Sequence, residues 1–339
     1  METRMSADEA IEAAREAGLR YSSDTEPGIR RLRRGSGFRY VAPGGRAPSE
    51  RDLQRIRSLA IPPAYQEVWI CSDPRGHLQA TGRDARGRKQ YRYHPDWAAA
   101  RDETKFHRVL DFGKALPRIH KHVEANLARP GIPRDKVLAT VVFLLEHVLI
   151  RVGNDEYARE NESYGLTTLK DQHVLLKGNT VRFRFTGKSG VHHDVDIRDP
   201  RVAKVIRSCE HLPGQRLFEY LDDDGVVRHV NSHDVNEYIR AAASEEFSAK
   251  DFRTWGGTVT CCELLLREEP AENERDAKRR VNAAIKIVAA RLGNTVAVCR
   301  KAYIHPAILT AYVSGSLPRV GKAEQIILRL LSRQSAPRK

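Results

Sequence analysis

Long apolar runs are missing from this 339-residue chain. None approaches the roughly 20 residues that span a bilayer, so no membrane segment is expected. The first helical stretch, about 7–18, alternates Ala and Ile with Glu and Arg. It lacks the basic start and apolar block of a secretory signal, which points to the cytosol. Cysteine is sparse as well. The five residues Cys71, Cys209, Cys261, Cys262 and Cys299 form no CxxC pair, which argues against a disulfide framework or a zinc site. They read as reduced, buried thiols. There is no GxxxxGK[ST] phosphate loop and no aspartate-rich metal motif. Repeats and low-complexity tracts are also lacking, and only 332–339 reads as a frayed basic tail.

What is abundant is positive charge. Lys and Arg number 58 against 44 Asp and Glu, a formal charge of +14. Such an excess suits a polyanionic partner, because basic side chains release the counterions condensed on a phosphate backbone. The apolar fraction, 40%, is that of an ordinary globular protein, and the length exceeds one compact core, so two domains are expected.

The texture changes near His94-Pro95. Before it, short apolar runs at 38–41, 67–71 and 77–81 are punctuated by Gly and Pro, with a helical stretch at 49–59 and a basic cluster at 30–34. That pattern describes a small sheet with one or two helices. After it, Val137, Val141, Leu144, Leu145 and Val148 recur at helical steps, marking an amphipathic helix that ends near Ile150. Val281, Ala284, Ile285, Val288 and Leu292 mark another, with Gly293 placed to cap it. Between them lies one hairpin. Val181, Phe183 and Phe185 alternate with arginines, Val191, Val195 and Ile197 alternate on the return, and Lys188 stands at the glycine-flanked tip. The expected fold is α+β: a β-rich lobe over 1–95 and a mainly helical domain with a short antiparallel sheet over 96–339.

Moving a phosphodiester without a metal requires an in-line nucleophile, donors for the non-bridging oxygens and an acid for the leaving oxygen. Arg151, Lys188, Arg253 and Tyr303 are of the right types and appear in that order. Singly, each is more often a surface charge or a packed ring.

Their contexts raise them above that. Arg151-Val152-Gly153-Asn154-Asp155-Glu156-Tyr157, the segment Glu160 to Leu169, Phe185-Thr186-Gly187-Lys188, Asp251-Phe252-Arg253-Thr254-Trp255-Gly256 and Lys301-Ala302-Tyr303 resemble, in order, the active-site segments of type IB DNA topoisomerases of the poxvirus-like, bacterial branch. In the small lobe, Gly87 to Tyr93 is similar to the segment that family lays in the DNA groove, and the likeness runs from about 27 to 317.

The resemblance implies a two-lobed C-clamp around duplex DNA that relaxes supercoils, as a monomer in the cytoplasm on the nucleoid, without ATP, metal or other cofactor. It implies that Tyr303 attacks the scissile phosphorus and becomes joined to the 3′ phosphate. Arg151 and Arg253 then clamp the non-bridging oxygens, for which planar, permanently charged guanidinium groups are suited. Lys188 protonates the departing 5′ oxygen. Lys89, Gln90, Tyr91 and Tyr93 contact DNA, and Tyr157 and Lys170 contact phosphate. For Gln90, Tyr91 and Tyr93 the bland alternative is one face of a buried strand. The histidines His192, His193, His229 and His233 read as surface or core residues. The sequence offers no obvious general base for Tyr303.

One position departs from the family. Nine residues before the tyrosine many relatives carry a histidine, and here the residue is Asn294. An amide donates a hydrogen bond to a phosphate oxygen but carries no charge. Two rivals frame the reading. A tyrosine recombinase usually has a histidine three residues before its second arginine, where this chain has Lys250. A DNA-binding protein that had lost catalysis would not be expected to keep all four reactive residues.

Overall fold

The computed structural model describes residues 7–334. They form two compact units, 1–105 and 106–339, divided inside one long helix. That helix, α3 below, spans Pro95–Leu127.

The first unit runs α1 (Ala7–Glu16), β1 (Ile29–Arg34), β2 (Gly37–Val41), α2 (Glu50–Ser58), β3 (Gln66–Ile70), β4 (Leu78–Arg83) and β5 (Lys89–Tyr93), before α3 (Pro95–Leu127). The strands make an antiparallel sheet in the order β2-β1-β3-β4-β5. Ser49 starts α2 by accepting the Asp52 N–H at 3.1 Å. Ile56 of α2 is buried against Ile29, Val68, Ile70 and Ala80 of the sheet. The opposite face carries Trp69, its cross-strand partner Thr81, and Tyr91 beyond that.

The arginine run read only as a basic cluster is strand β1. Arginine is no strong strand former, but buried Ile29 anchors the strand. Arg31 also lies 4.2 Å from the Phe38 ring centroid and donates to the carbonyls of Ile61, Pro62 and Tyr65 at 3.3, 3.0 and 2.6 Å.

The second unit continues with α4 (Arg134–Val148), α5 (Asp155–Asn161), β6 (Val174–Lys177), β7 (Thr180–Thr186), β8 (His192–Arg198), α6 (Pro200–Cys209), β9 (Glu219–Leu221) and β10 (Val227–His229). The helices α7 (Ser232–Ala243), α8 (Ala249–Arg267), α9 (Glu274–Leu292), α10 (Val296–Ala302), α11 (Pro306–Val313) and α12 (Ala323–Gln334) complete it. The spacing in α4 marks an amphipathic helix with one apolar stripe, but more than the stripe is covered. The helix is buried on nearly every side and packs against α6, α7 and α8, as expected of a helix apolar all round. Strands β6, β7 and β8 make an antiparallel sheet, so the expected hairpin gains a third strand. Gly293 caps α9 with φ 60°, as its position predicts.

All five cysteines are buried and free. Burial pushes the Cys209, Cys261 and Cys262 thiols up to about 12. The expected basic tail needs correction at its start: 332–334 are the last residues of α12, and 335–339 lie outside the described residues. Among the described residues no single helix is long and apolar enough to cross a membrane.

Candidate active site

Helix ends leave carbonyls without intrahelical donors. Two such ends, Leu149 after α4 and Leu292 closing α9, come together over Arg253 in the second turn of α8. Arg253 Nη1 donates to the Leu149 carbonyl and Nη2 to the Leu292 carbonyl at 2.7 Å. With only 3% of its surface exposed, this guanidinium owes its position to those two acceptors. The carbonyl ends of helices favour a cation there. Burial, with the like charge of Arg151 behind it, still pulls Arg253 down to about 10, which leaves it charged at neutral pH. Two residues beyond Leu149 stands Arg151, and two beyond Leu292 stands Asn294. One side chain thus pins the start of both segments.

Arg151 and Asn294 also meet directly. Arg151 Nη2 donates to Asn294 Oδ1 at 2.6 Å and approaches the Gly293 carbonyl at 3.5 Å. The Arg151 backbone is held by the Leu166 N–H on its carbonyl at 2.9 Å, and the Val152 carbonyl takes the Thr167 N–H at 2.7 Å. A Cβ at Gly165 would sit 2.6 Å from the Arg151 carbonyl, so this crossing requires glycine. Burial lowers Arg151 too, opposed by the nearby Tyr303.

Tyr303 ends α10, its N–H donating to the Cys299 carbonyl at 2.9 Å. Its half-buried ring lies against Arg253, whose Cζ is 5.2 Å from the ring centroid. The turn that follows is fixed from α8, where Thr258 Oγ1 donates to the Thr254 carbonyl at 2.8 Å and accepts the His305 N–H at 3.1 Å.

Three donor nitrogens of this group are buried without an aligned hydrogen-bond partner: Arg151 Nη1, Arg253 Nε and Asn294 Nδ2. An unmet buried donor costs about 1–3 kcal/mol, and more for a charged one. Clustered on linked side chains, two of them cationic, such donors suit an oxyanion. Asn294 therefore has two tasks, holding Arg151 through Oδ1 and offering Nδ2. Asn294→Ala is expected to slow strand cleavage by about 1–3 kcal/mol, about fivefold to 150-fold. Asn294→Asp, which keeps the Arg151 contact but replaces the donor by a negative charge, is expected to be at least as slow. Single-turnover cleavage of a labelled duplex measures both.

The other expected site residues are placed differently. Lys188 is exposed at the β7–β8 tip and lies 5.5 Å from the Tyr157 ring centroid. Lys170 faces Tyr164, at 5.9 Å. In the first unit Lys89, Tyr91 and Tyr93 alternate onto one face of β5, with the tyrosines about half exposed and stacked at 6.1 Å and 8°. The buried-strand alternative for them is thereby excluded. Gln90 points to the other face and donates to Asp84 at 3.0 Å, and the Lys89 ammonium is 2.5 Å from Asp24.

His193 was read as a bland residue, and the structure buries it beside the arginines. Burial first, then the charges of Arg151 and Arg253, lower its imidazole to about 4. A signal was available: Val191, Val195 and Ile197 alternate inward, and His193 occupies the missing place in that series. The backbone role of Thr258 left no comparable trace.

A mainly helical α+β domain with a tyrosine beside one buried and one half-buried arginine suits phosphodiester transfer, and comparison with known proteins names the kind. The family model for the eukaryotic DNA topoisomerase I catalytic core matches residues 90–316, and that for the bacterial DNA topoisomerase IB N-terminal domain matches 37–84. The DNA topoisomerase 1B of Acanthamoeba polyphaga mimivirus is 34% identical over 293 residues, covering 84% of this chain and 87% of its own. That of Vaccinia virus (strain Copenhagen) is 25% identical over 252 residues, covering 72% and 75%. The chain belongs to the type IB DNA topoisomerases, which relax supercoiled DNA by cutting one strand through a tyrosine-linked intermediate and rejoining it.

Proposed function

We propose that Tyr303 is the nucleophile of this relaxation and that Arg151, Arg253 and Asn294 hold the non-bridging oxygens of the scissile phosphate. Tyr303 Oη bonds to phosphorus as the bond to the 5′ oxygen breaks. The tyrosine proton passes to solvent, and the 5′ oxygen takes one from the Lys188 ammonium. The strand is left with a 3′-phosphotyrosyl end and a 5′ hydroxyl, and the reverse attack reseals it. The linkage conserves the energy of the broken bond, so neither ATP nor a metal enters the balance. Lys188, on an exposed hairpin tip, reaches the leaving oxygen once DNA is bound. Lys89, Tyr91 and Tyr93 supply groove and phosphate contacts from the first unit, joined by Gln90; Tyr157 and Lys170 contact phosphate from the second. We further propose a monomer acting in the cytoplasm on nucleoid DNA.

The observation that carries this reading is the set of three buried, unmet donors on Arg151, Arg253 and Asn294, with the Tyr303 ring against Arg253. Peptide mapping tests it. Adduct trapped on a nicking-site duplex, digested with trypsin and sequenced by tandem mass spectrometry, is expected to carry its nucleotide on Tyr303 of the peptide 302–319. Nucleotide on any other tyrosine, including Tyr312 of the same peptide, removes Tyr303 from the role.

A further inference from the structure

The hairpin that carries Lys188 is braced at its base by one ring. His193, on the return strand, pairs with Phe185 and stacks on it, with centroids 4.8 Å apart and planes 15° from parallel. Two glycines close on the Nε2 side of the imidazole. A Cβ on Gly187 would lie 2.8 Å from Cδ2 and Nε2, and one on Gly293 would lie 3.2 Å from Cε1. Each glycine immediately precedes a site residue, Gly187 before Lys188 and Gly293 before Asn294. The ring is therefore a flat spacer between the hairpin that carries Lys188 and the capped end of α9. A charged side chain in this place would add a third cation to Arg151 and Arg253. Kept neutral by burial and by those arginines, the imidazole spaces the hairpin without adding charge.

We infer that His193 is a positioning residue for Lys188: its wedged ring sets the stance of the hairpin base, and through it the approach of the Lys188 ammonium to the leaving 5′ oxygen. His193 touches no reacting atom. The inference rests on Lys188 being the acid of the reaction, so its test must separate the two.

A substrate pair does so. One duplex has the ordinary 5′-bridging oxygen at the scissile phosphate, the other a bridging sulfur. With sulfur, Tyr303 Oη bonds to phosphorus, the P–S bond breaks and the thiolate departs without a proton, because thiols are far more acidic than alcohols. Defects confined to proton delivery vanish on the sulfur substrate. Expected for His193→Gln is cleavage slowed about 10- to 100-fold on oxygen, the effect of a displaced acid, with rates within about threefold of the native chain on sulfur. Gly187→Ala provides a second route should the first variant fail to fold. The backbone there has φ −97° and ψ −170°, open to alanine, and the methyl crowds the ring alone, the Val191 carbonyl lying at an ordinary 3.6 Å, so the same oxygen-selective defect is expected. Lys188→Ala and Arg151→Ala are the references, the first restored by sulfur and the second slow on both.

If Lys188→Ala is restored by sulfur while both new variants are equally slow on the two substrates, or fast on both, His193 does not act through Lys188 and the inference falls alone. If Lys188→Ala is not restored, the acid assignment falls and takes the inference with it.

Discussion

Tyr303→Phe is expected to bind duplex DNA within about twofold of the native chain and to form no covalent adduct, a loss on the order of 10⁵-fold or more in strand cleavage. Affinity survives because the ring and its contact with Arg253, at 5.2 Å, remain. The arginines and Asn294 also stay in place, since Arg253 keeps the Leu149 and Leu292 carbonyls and Arg151 keeps Asn294 when the phenol oxygen is lost. Only the atom that bonds to phosphorus is removed. Detergent-stable capture of an end-labelled strand, with plasmid relaxation in the absence of ATP and magnesium, measures it. Adduct formation by this variant at anything near the native rate defeats the assignment.

Arg253→Lys is expected to lose both stability and rate. An ammonium is a single point charge and cannot span the Leu149 and Leu292 carbonyls as the guanidinium fork does. One buried carbonyl is left unpaired, a cost of about 1–3 kcal/mol. Cleavage is expected to fall by on the order of 10²- to 10³-fold, the usual effect of losing one donor to a developing oxyanion. The double duty shows in a comparison with Arg151→Lys, whose partner is Asn294 and not a pair of helix ends. That variant should lose rate with little change in the thermal transition. Equal melting of the two variants would deny Arg253 its structural role.

The sequence made some of this legible for physical reasons. Helix α9 was readable because Val281, Ala284, Ile285, Val288 and Leu292 lie on one stripe and Gly293 follows. The β7–β8 hairpin was readable because alternation and turn glycines are local signals. Strand β1 was not, since its fit comes from Arg31 reaching loop carbonyls far along the chain. The full burial of α4 was not either, because spacing reports one apolar stripe and cannot tell how many elements will cover the rest. At the site, residue types and order suggested Arg151, Arg253 and Tyr303. That Arg253 would spend two donors on helix-end carbonyls is a tertiary fact with no local signature. The Lys188–Tyr157 neighbourhood joins a hairpin tip to α5 and was equally invisible.

Tyr303 ends a seven-residue helix and is followed at once by fully buried Ile304 and by His305, whose N–H is tied to Thr258 on α8. With Tyr303 as the proposed nucleophile, the attached strand end would bear the torque of unwinding DNA during relaxation, and that pull would enter the protein through one side chain. Its load path is short. It runs from the Tyr303 backbone into the Cys299 carbonyl on one side and, through Ile304 and His305, into the centre of α8 on the other. Anchorage of that kind lets the duplex turn while its tethered end stays still, so that the 5′ hydroxyl, when it swings back, finds the phosphorus where it left it.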